Sequence, residues 1–235
     1  MKENPLFRTN LVNDQQTLPF DEIQSADFSP AFDTAIATAR RRLEAIEKDP
    51  APPSFVNTIE AIEFHKEELE KVSLLFFNLL GANTNDEMQT YAKVISPKLA
   101  EFANDLLLNP RIFERVKDVF DRREKMGLDA ERLQLLEKTY KAFRRNGALL
   151  KENEKETLRG IDQELARLSQ DFSDNVLKAT NDYLLFVDDE SAIKDLPKGT
   201  LEDAKNTARE KGRSDSWAFT LHAPSYGPFL QFCSS

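Results

Sequence analysis

Apolar side chains recur at steps of three and four residues through one long stretch, and this spacing constrains the fold more than any other feature. The stretch comprises Leu158, Ile161, Leu165, Leu168, Phe172 and Val176. An α-helix has 3.6 residues per turn, so this spacing places the six side chains on one helical face, as in a coiled coil. The sequence therefore predicts one long helix over about residues 152–180, with an apolar seam along it.

The same period predicts five shorter helices before the long one. Serine, threonine, asparagine and aspartate favour the N-cap position, proline is tolerated at the first helical position, and glycine often follows the last turn. The predicted starts are Ser29-Pro30, Asn57 with Glu60, Thr84 with Glu87, Asn109-Pro110 and Asp129, and the predicted stops include Gly81, Gly127 and Gly147. Pro97 falls inside the third pattern, where we expect a kink within one helix.

The last quarter of the chain has a different character. Residues 183–187 (YLLFV) and 217–221 (WAFTL) are β-prone runs that we expect to pair in a small sheet, with a short helix over about 201–211 between them. Residues 224–232 (PSYGPFLQF) form an apolar segment that leads toward a further element. We therefore expect the end at Ser235 to be a truncation, and residues 217–232 to expose an apolar patch.

These patterns predict a mainly α protein: a multi-helix bundle with a small β element near the C-terminal end. Residues 1–28, which contain Pro5 and Pro19, are predicted as an extended N-terminal segment. Residues 29–181 are predicted as the helical bundle, ending in the long helix. Residues 182–235 are predicted as a small β/α element that leads into missing downstream sequence.

Charge and composition exclude several classes of partner. The chain carries 32 Lys and Arg against 41 Asp and Glu, a net charge of −9, so we expect no general binding to nucleic acid or to anionic membranes. No apolar stretch approaches the roughly 20 residues of a membrane span, and no secretory signal is visible in residues 1–13. Cys233 is the only cysteine, so no internal disulfide forms. We expect a cytoplasmic protein, with the periplasm open if a signal was removed.

The residues that could perform catalysis are few and scattered. A catalytic zinc usually has three protein ligands, but the chain has two histidines, His65 and His222, and no HExxH motif. His65 with Glu68 supplies at most half a site, and Ile62 occupies the place where a di-iron bundle needs glutamate. We expect His65 to be an exposed or edge residue of the second helix. For His222 we favour bonding to nearby backbone at a strand end over a ligand-facing role.

Other catalytic motifs do not appear in the sequence. There is no Gly-x-Ser-x-Gly elbow and no glycine-rich phosphate loop, and no histidine lies near Cys233 in sequence. We therefore assign no catalytic residue, no metal-binding residue and no cofactor to this chain. Its substrate-binding residues cannot be identified from these patterns.

Several stretches in order resemble the zinc oligopeptidases, a family that includes bacterial peptidyl-dipeptidase, oligopeptidase A and thimet oligopeptidase. The likeness covers essentially the whole chain. The stretches are 4–6 (NPL), 18–21 (LPFD), 55–63 (FVNTIEAIE), 76–79 (FFNL), 82–89 (ANTNDEMQ), 107–110 (LLNP), 168–176 (LSQDFSDNV) and 219–226 (FTLHAPSY). The segments 103–105 (AND) and 122–124 (RRE) favour the peptidyl-dipeptidase branch.

This resemblance implies that the chain is the N-terminal, non-catalytic part of a zinc metallopeptidase, a hydrolase of short peptides. The family's zinc motif lies far downstream, so no residue here is matched to it, and this chain alone should be inactive. The implied partners are the downstream catalytic half of the same polypeptide and short peptide substrates, with this region as one wall of the substrate channel. The alternative is a free-standing helical peptide- or protein-binding module without catalytic activity.

Overall fold

A computed structural model describes residues 4–7 and 20–233 of the chain. The chain divides into two compact units, Met1–Gln170 and Asp171–Ser235. The described residues are mainly helical, with a two-stranded sheet near the C-terminal end. The predicted fold class is therefore confirmed. The three-part division at residues 28 and 181 stays a prediction, although 25–28, placed in the extended segment, are helical.

The first unit is built from helices around a core rich in phenylalanine. Phe28 and Phe32 of the first helix meet Phe76 edge to face, with ring centroids 5.2 and 5.4 Å apart. The first helix packs against the third and fourth, and the fifth packs against the sixth. The helices are α1 Ser25–Lys48, α2 Ala61–Phe64, α3 Glu67–Ala82, α4 Asp86–Leu107, α5 Pro110–Asp121, α6 Ala130–Arg145 and α7 Glu152–Asp182, which begins in this unit and continues past it.

Two of the predicted helix starts are confirmed. The Asn109 side chain accepts from the backbone N–H groups of Arg111 and Ile112, and Asp129 accepts from the N–H of Arg132. Both residues thereby satisfy N–H groups that a helix leaves unpaired in its first turn. The long helix α7 also matches its predicted span. The predicted stop at Gly127 is late, since α5 ends at Asp121.

The first helix starts four residues earlier than Ser29. Gln24 is its N-cap residue, and the backbone N–H of Gln24 donates to the Asp27 carboxylate at 2.8 Å. The earlier start places Phe28 inside the helix, where it is buried. Burial of this ring explains why the helix extends past the Ser29-Pro30 signal, with Pro30 inside it.

Two other predicted starts are also displaced. The second helical segment begins after Ser54, whose hydroxyl accepts from the Asn57 N–H while Asn57 Oδ1 accepts from the Ser54 N–H. Asn57 is therefore the third residue of a capping box, not its N-cap. This segment is a π-helix, Phe55–Glu60, that leads into α2. In α4 the N-cap is Asn85, not Thr84, and α4 runs through Pro97 as one helix, as predicted. The kink at Pro97 stays a prediction.

The second unit pairs two short strands beside two helices. Strand β1, Leu185–Val187, lies antiparallel to β2, Trp217–Phe219, so the predicted pairing is confirmed. Helix α8, Lys198–Glu210, connects the strands and packs against β2. Ile193 and Phe219 lie in the small core of this unit. None of the described helices is long and apolar enough to cross a membrane.

The apolar segment after β2 forms a helix that the sequence did not predict, α9, Ala223–Phe232. Pro224 lies near its start, where a missing N–H costs little, whereas Pro228 lies inside it. Phe229 of α9 packs on Phe219 with ring centroids 4.6 Å apart. Leu230 is 74% exposed. Phe232 is also exposed, at 43%, so the apolar patch expected here is present at Leu230 and Phe232, while Phe229 is partly buried against the core of the unit.

Candidate binding surfaces

His65 lies in the interior of the first unit, so the expectation of an exposed or edge residue was wrong. It is 1% exposed and stands at the turn between α2 and α3. Its Nδ1 donates to the carbonyl of Ile62, and its ring lies 5.7 Å from that of Phe102. Burial lowers the pKa of His65, because desolvation disfavours the charged ring. The ring turns inward because the predicted helix breaks at this position.

His222 follows β2 after two intervening residues and is exposed. It is the N-cap residue of α9, and its carbonyl accepts from the N–H groups of Ser225 and Tyr226 at 2.8 and 3.1 Å. These bonds are made by its backbone. Cys233 Sγ lies 3.2 Å from the Ala192 carbonyl.

The family implied by the resemblance carries zinc, and the side chains described here do not fit a zinc site. Within residues 4–7 and 20–233, no group of three or more His, Cys, Asp or Glu side chains is placed to hold a metal ion.

An apolar groove lies between α3 and α4 of the first unit, and we call it the α3–α4 groove. Both helices pack against α1, and the space between their outer faces has a volume of about 910 Å³. Its apolar lining comprises Leu69, Leu74, Phe77, Leu99, Phe102, Ala103, Leu106 and Leu107. A groove of this size and lining suits apolar side chains, as ligand pockets generally do.

Polar groups line the rest of the groove. Lys66 and Glu70 form an ion pair across one helical turn at 2.8 Å, and Ser73 and Asn78 also line the cavity. Leu74 is 73% exposed, so a large apolar surface meets solvent here. Such a surface marks a site of contact with another molecule or segment. The lining offers binding surface rather than a nucleophile with a neighbouring base.

A second apolar surface lies along α7. Ile161, Leu165 and Leu168 occupy one face of this helix and are all exposed, and Phe172 and Val176 continue the spacing. Lys155, near the helix start, is the one residue of α7 that is buried, and its Nζ donates to the Leu108 carbonyl at 3.0 Å. The predicted seam is therefore present and faces solvent.

No residue of the groove was predicted from the sequence, although a signal for it exists. The run 74–80 (LLFFNLL) is apolar at six of seven positions, more than one helical face accommodates. Only one side of α3 packs inward, with Val72 and Phe76 fully buried, which leaves Leu74 and Phe77 for a second surface.

Comparison with known proteins gives the chain's relationships. No family model matches it. The chain is 36% identical over 227 residues to a dipeptidyl carboxypeptidase of Salmonella typhimurium, which covers 94% of this chain and 33% of that protein. It is likewise 36% identical over 221 residues to a dipeptidyl carboxypeptidase of Escherichia coli, 92% of this chain and 32% of that protein.

A more distant similarity reaches the oligopeptidases. A probable cytosolic oligopeptidase A of Arabidopsis thaliana is 26% identical over 235 residues, 97% of this chain and 33% of that protein. The chain thus spans about a third of the length of the curated relatives it matches. The resemblance found in the sequence is confirmed: over nearly its whole length this chain is related to the dipeptidyl carboxypeptidases and, more distantly, to the oligopeptidases A.

Proposed function

We propose that this chain is the N-terminal, non-catalytic helical portion of a zinc peptidase that cleaves short peptides, and that it forms one wall of the substrate channel. The observation that carries the proposal is the similarity to dipeptidyl carboxypeptidases over 94% of this chain, which corresponds to 33% of the relative. The bond-breaking chemistry is assigned to the remaining part of the polypeptide.

The α3–α4 groove supports the role as a wall. Exposed apolar residues such as Leu74 and Phe77 bury an apolar side chain of a bound peptide. Lys66 can donate a hydrogen bond to a backbone carbonyl of the peptide, and Glu70 can accept one from a backbone N–H. A wall of this kind orients the peptide and excludes water while the reaction proceeds elsewhere. A narrow channel between two walls admits only an extended chain, which limits substrates to short, flexible peptides.

The test compares two substitutions in the full-length peptidase encoded by the parent gene. Leu74→Glu places a charge in the groove, whereas Val94→Glu changes an exposed apolar residue of α4 outside it. We expect Leu74→Glu to raise KM for short peptides by about tenfold with kcat nearly unchanged, because it removes binding that is equal in the ground and transition states. Val94→Glu should leave both constants unchanged. Equal effects of the two variants would contradict a role for the groove.

Three further results are expected for truncated forms. The 235-residue chain alone should show no peptidase activity under any added metal, and after dialysis it should retain well under one zinc per chain. Deleting it from the parent should abolish productive cleavage while the downstream zinc ligands remain. A downstream part that keeps full activity and the same limit on substrate size would overturn the wall role.

The alternative is a free-standing helical module that binds peptides or proteins without catalysis. All residues that line the α3–α4 groove belong to this chain, so a free-standing module could use the groove without any further part of a longer polypeptide. The reading frame of the parent gene past Ser235 distinguishes the two functions. An HExxH motif some hundreds of residues further on supports the peptidase, and a natural stop codon at this position supports the free-standing module.

A further inference from the structure

The exposed face of α7 has the geometry of a helix-packing surface. Ile161, Leu165 and Leu168 follow one another at steps of four and three residues and point to the same side of a continuous helix. Leu165 is 60% exposed. Moving three large aliphatic side chains out of water is favourable, because apolar burial is the main driving force of packing. Another element that covers this face would therefore be stabilised by it.

The residues that flank this face are acidic. Asp162 lies on one side of it and Glu164 on the other, at the positions that contact the edges of a partner helix. Glu164 is also paired with Arg167 at 2.7 Å, which draws that arginine to its side of the helix. Gln163 lies on the opposite side, where a helix usually meets solvent.

The charge distribution decides among possible occupants. A second copy of this chain would bring a further net charge of −9 and the same carboxylates against the face, which is unfavourable. A helix with basic residues beside its apolar positions complements both the seam and its flanks. Such a helix could come from a longer form of this polypeptide, because two thirds of the curated relatives' length lies outside the matched part.

We propose that the α7 face formed by Ile161, Leu165 and Leu168 is the docking surface for a basic amphipathic helix from the part of the same polypeptide that lies outside this chain. The inference rests on the proposed function, since it requires the longer polypeptide. The apolar seam supplies the affinity, and Asp162 and Glu164 fix the orientation of the partner helix through its basic residues.

The test uses one pair of substitutions in two proteins, the 235-residue chain and the full-length polypeptide. Leu165→Glu changes the centre of the seam, and Gln163→Glu introduces the same charge on the opposite side of the same helix. Because Leu165 is already exposed, both variants of the 235-residue chain should unfold at the wild-type temperature. In the full-length polypeptide, Leu165→Glu should speed amide hydrogen exchange across 158–170 by about tenfold or more, and Gln163→Glu should not.

A third variant tests the charge of the partner. Asp162→Lys should speed exchange in the full-length polypeptide and leave the 235-residue chain unchanged, because it places a cation against basic residues. Unaltered exchange in that variant would overturn the basic character of the partner.

The remaining outcomes separate this inference from the proposed function. If the full-length polypeptide is a peptidase but α7 exchanges as fast there as in the 235-residue chain, the function stands and the docking surface is wrong. If sedimentation shows the 235-residue chain to be a dimer that Leu165→Glu dissociates and Gln163→Glu does not, a second copy is the occupant and the inference is overturned. A stop codon at residue 235 would overturn both.

Discussion

Arg115 of α5 holds Asp49 at the C-terminal end of α1 by two contacts. Its Nη1 donates to the Asp49 carbonyl at 2.9 Å, and its Nη2 lies 3.2 Å from the Asp49 carboxylate. Arg111, on the same helix, pairs with Glu47 of α1 at 3.3 Å. The side chain of Arg115 is 9% exposed and that of Arg111 is 69% exposed, so the Arg115 contacts are much more buried and include a backbone carbonyl.

This difference predicts unequal effects of the same substitution. Arg115→Met should lower the free energy of unfolding by about 2–3 kcal/mol, since it leaves partly buried acceptors unpaired. Arg111→Met should cost about 1 kcal/mol or less, as expected of a solvent-exposed ion pair. Urea denaturation of both variants measures the difference. Similar losses would mean that burial of Arg115 contributes nothing.

His65 predicts a pH dependence of stability. Its pKa is lowered from the ordinary value of 6.5, mainly by desolvation. The hydrogen bond to the Ile62 carbonyl opposes this shift, and the charges of Lys66, Glu70 and Arg42 make smaller contributions of mixed sign. Above pH 6.5 both folded and unfolded states hold a neutral ring, and its contribution to stability is fully present. As the pH falls below that value, the unfolded state takes up the proton first. Stability should then fall by up to about 1.4 kcal/mol per pH unit.

The measurement compares unfolding curves over about pH 7.5 to 5, the range in which histidine titrates. His65→Phe should remove this part of the slope, because an aromatic ring without a titrating group occupies the same site beside Phe102. His222→Gln is the matched control and should keep the slope, since His222 is exposed. A wild-type slope in His65→Phe would assign the pH dependence to the carboxylates.

The sequence predicted those parts of the fold that depend on local pattern. The spacing of Leu158 through Val176 predicted α7, and the side chains of Asn109 and Asp129 predicted two helix starts, because a cap is formed within four residues. Cap signals failed where two of them overlapped. Both Ser54 with Asn57 and Asn57 with Glu60 fit the spacing of a capping box. The helix that starts after Ser54 is the one that forms, and it buries Phe55 and Ile59 in the core.

The candidate surfaces depend on tertiary packing, which the pattern does not contain. A seam such as Ile161–Leu165–Leu168 predicts a helix with an apolar face, but it does not tell whether that face meets a partner within the chain. The position of His65 depends on the break between α2 and α3, and α9 forms despite Pro228 because Phe229 packs on Phe219. In each case a contact between distant residues overrides a local preference.

Phe229 and Leu230 are neighbours on α9 with opposite environments, and they predict opposite responses in the second unit. Phe229→Ala should destabilise this unit by about 2–3 kcal/mol, because it removes the ring packed against Phe219. Leu230→Ala should change its stability by about 0.5 kcal/mol or less, as expected of an exposed site. Trp217, the only tryptophan, lies in β2 and reports unfolding of the unit by fluorescence. A large effect at Leu230 would place that side chain against the core.

Two glycines with positive φ differ in the space around them, and this difference predicts the cost of adding a methyl group. Gly127 has φ of 62° and open space where a Cβ would lie, so Gly127→Ala should cost about 1 kcal/mol from backbone strain. At Gly147, with φ of 93°, a Cβ would lie 2.8 Å from a Leu158 methyl and 2.9 Å from a Leu150 methyl. Gly147→Ala should therefore cost about 2–3 kcal/mol, because overpacking adds to the strain. Thermal unfolding of the two variants measures both costs, and equal values would mean that the side chains of Leu150 and Leu158 move aside freely.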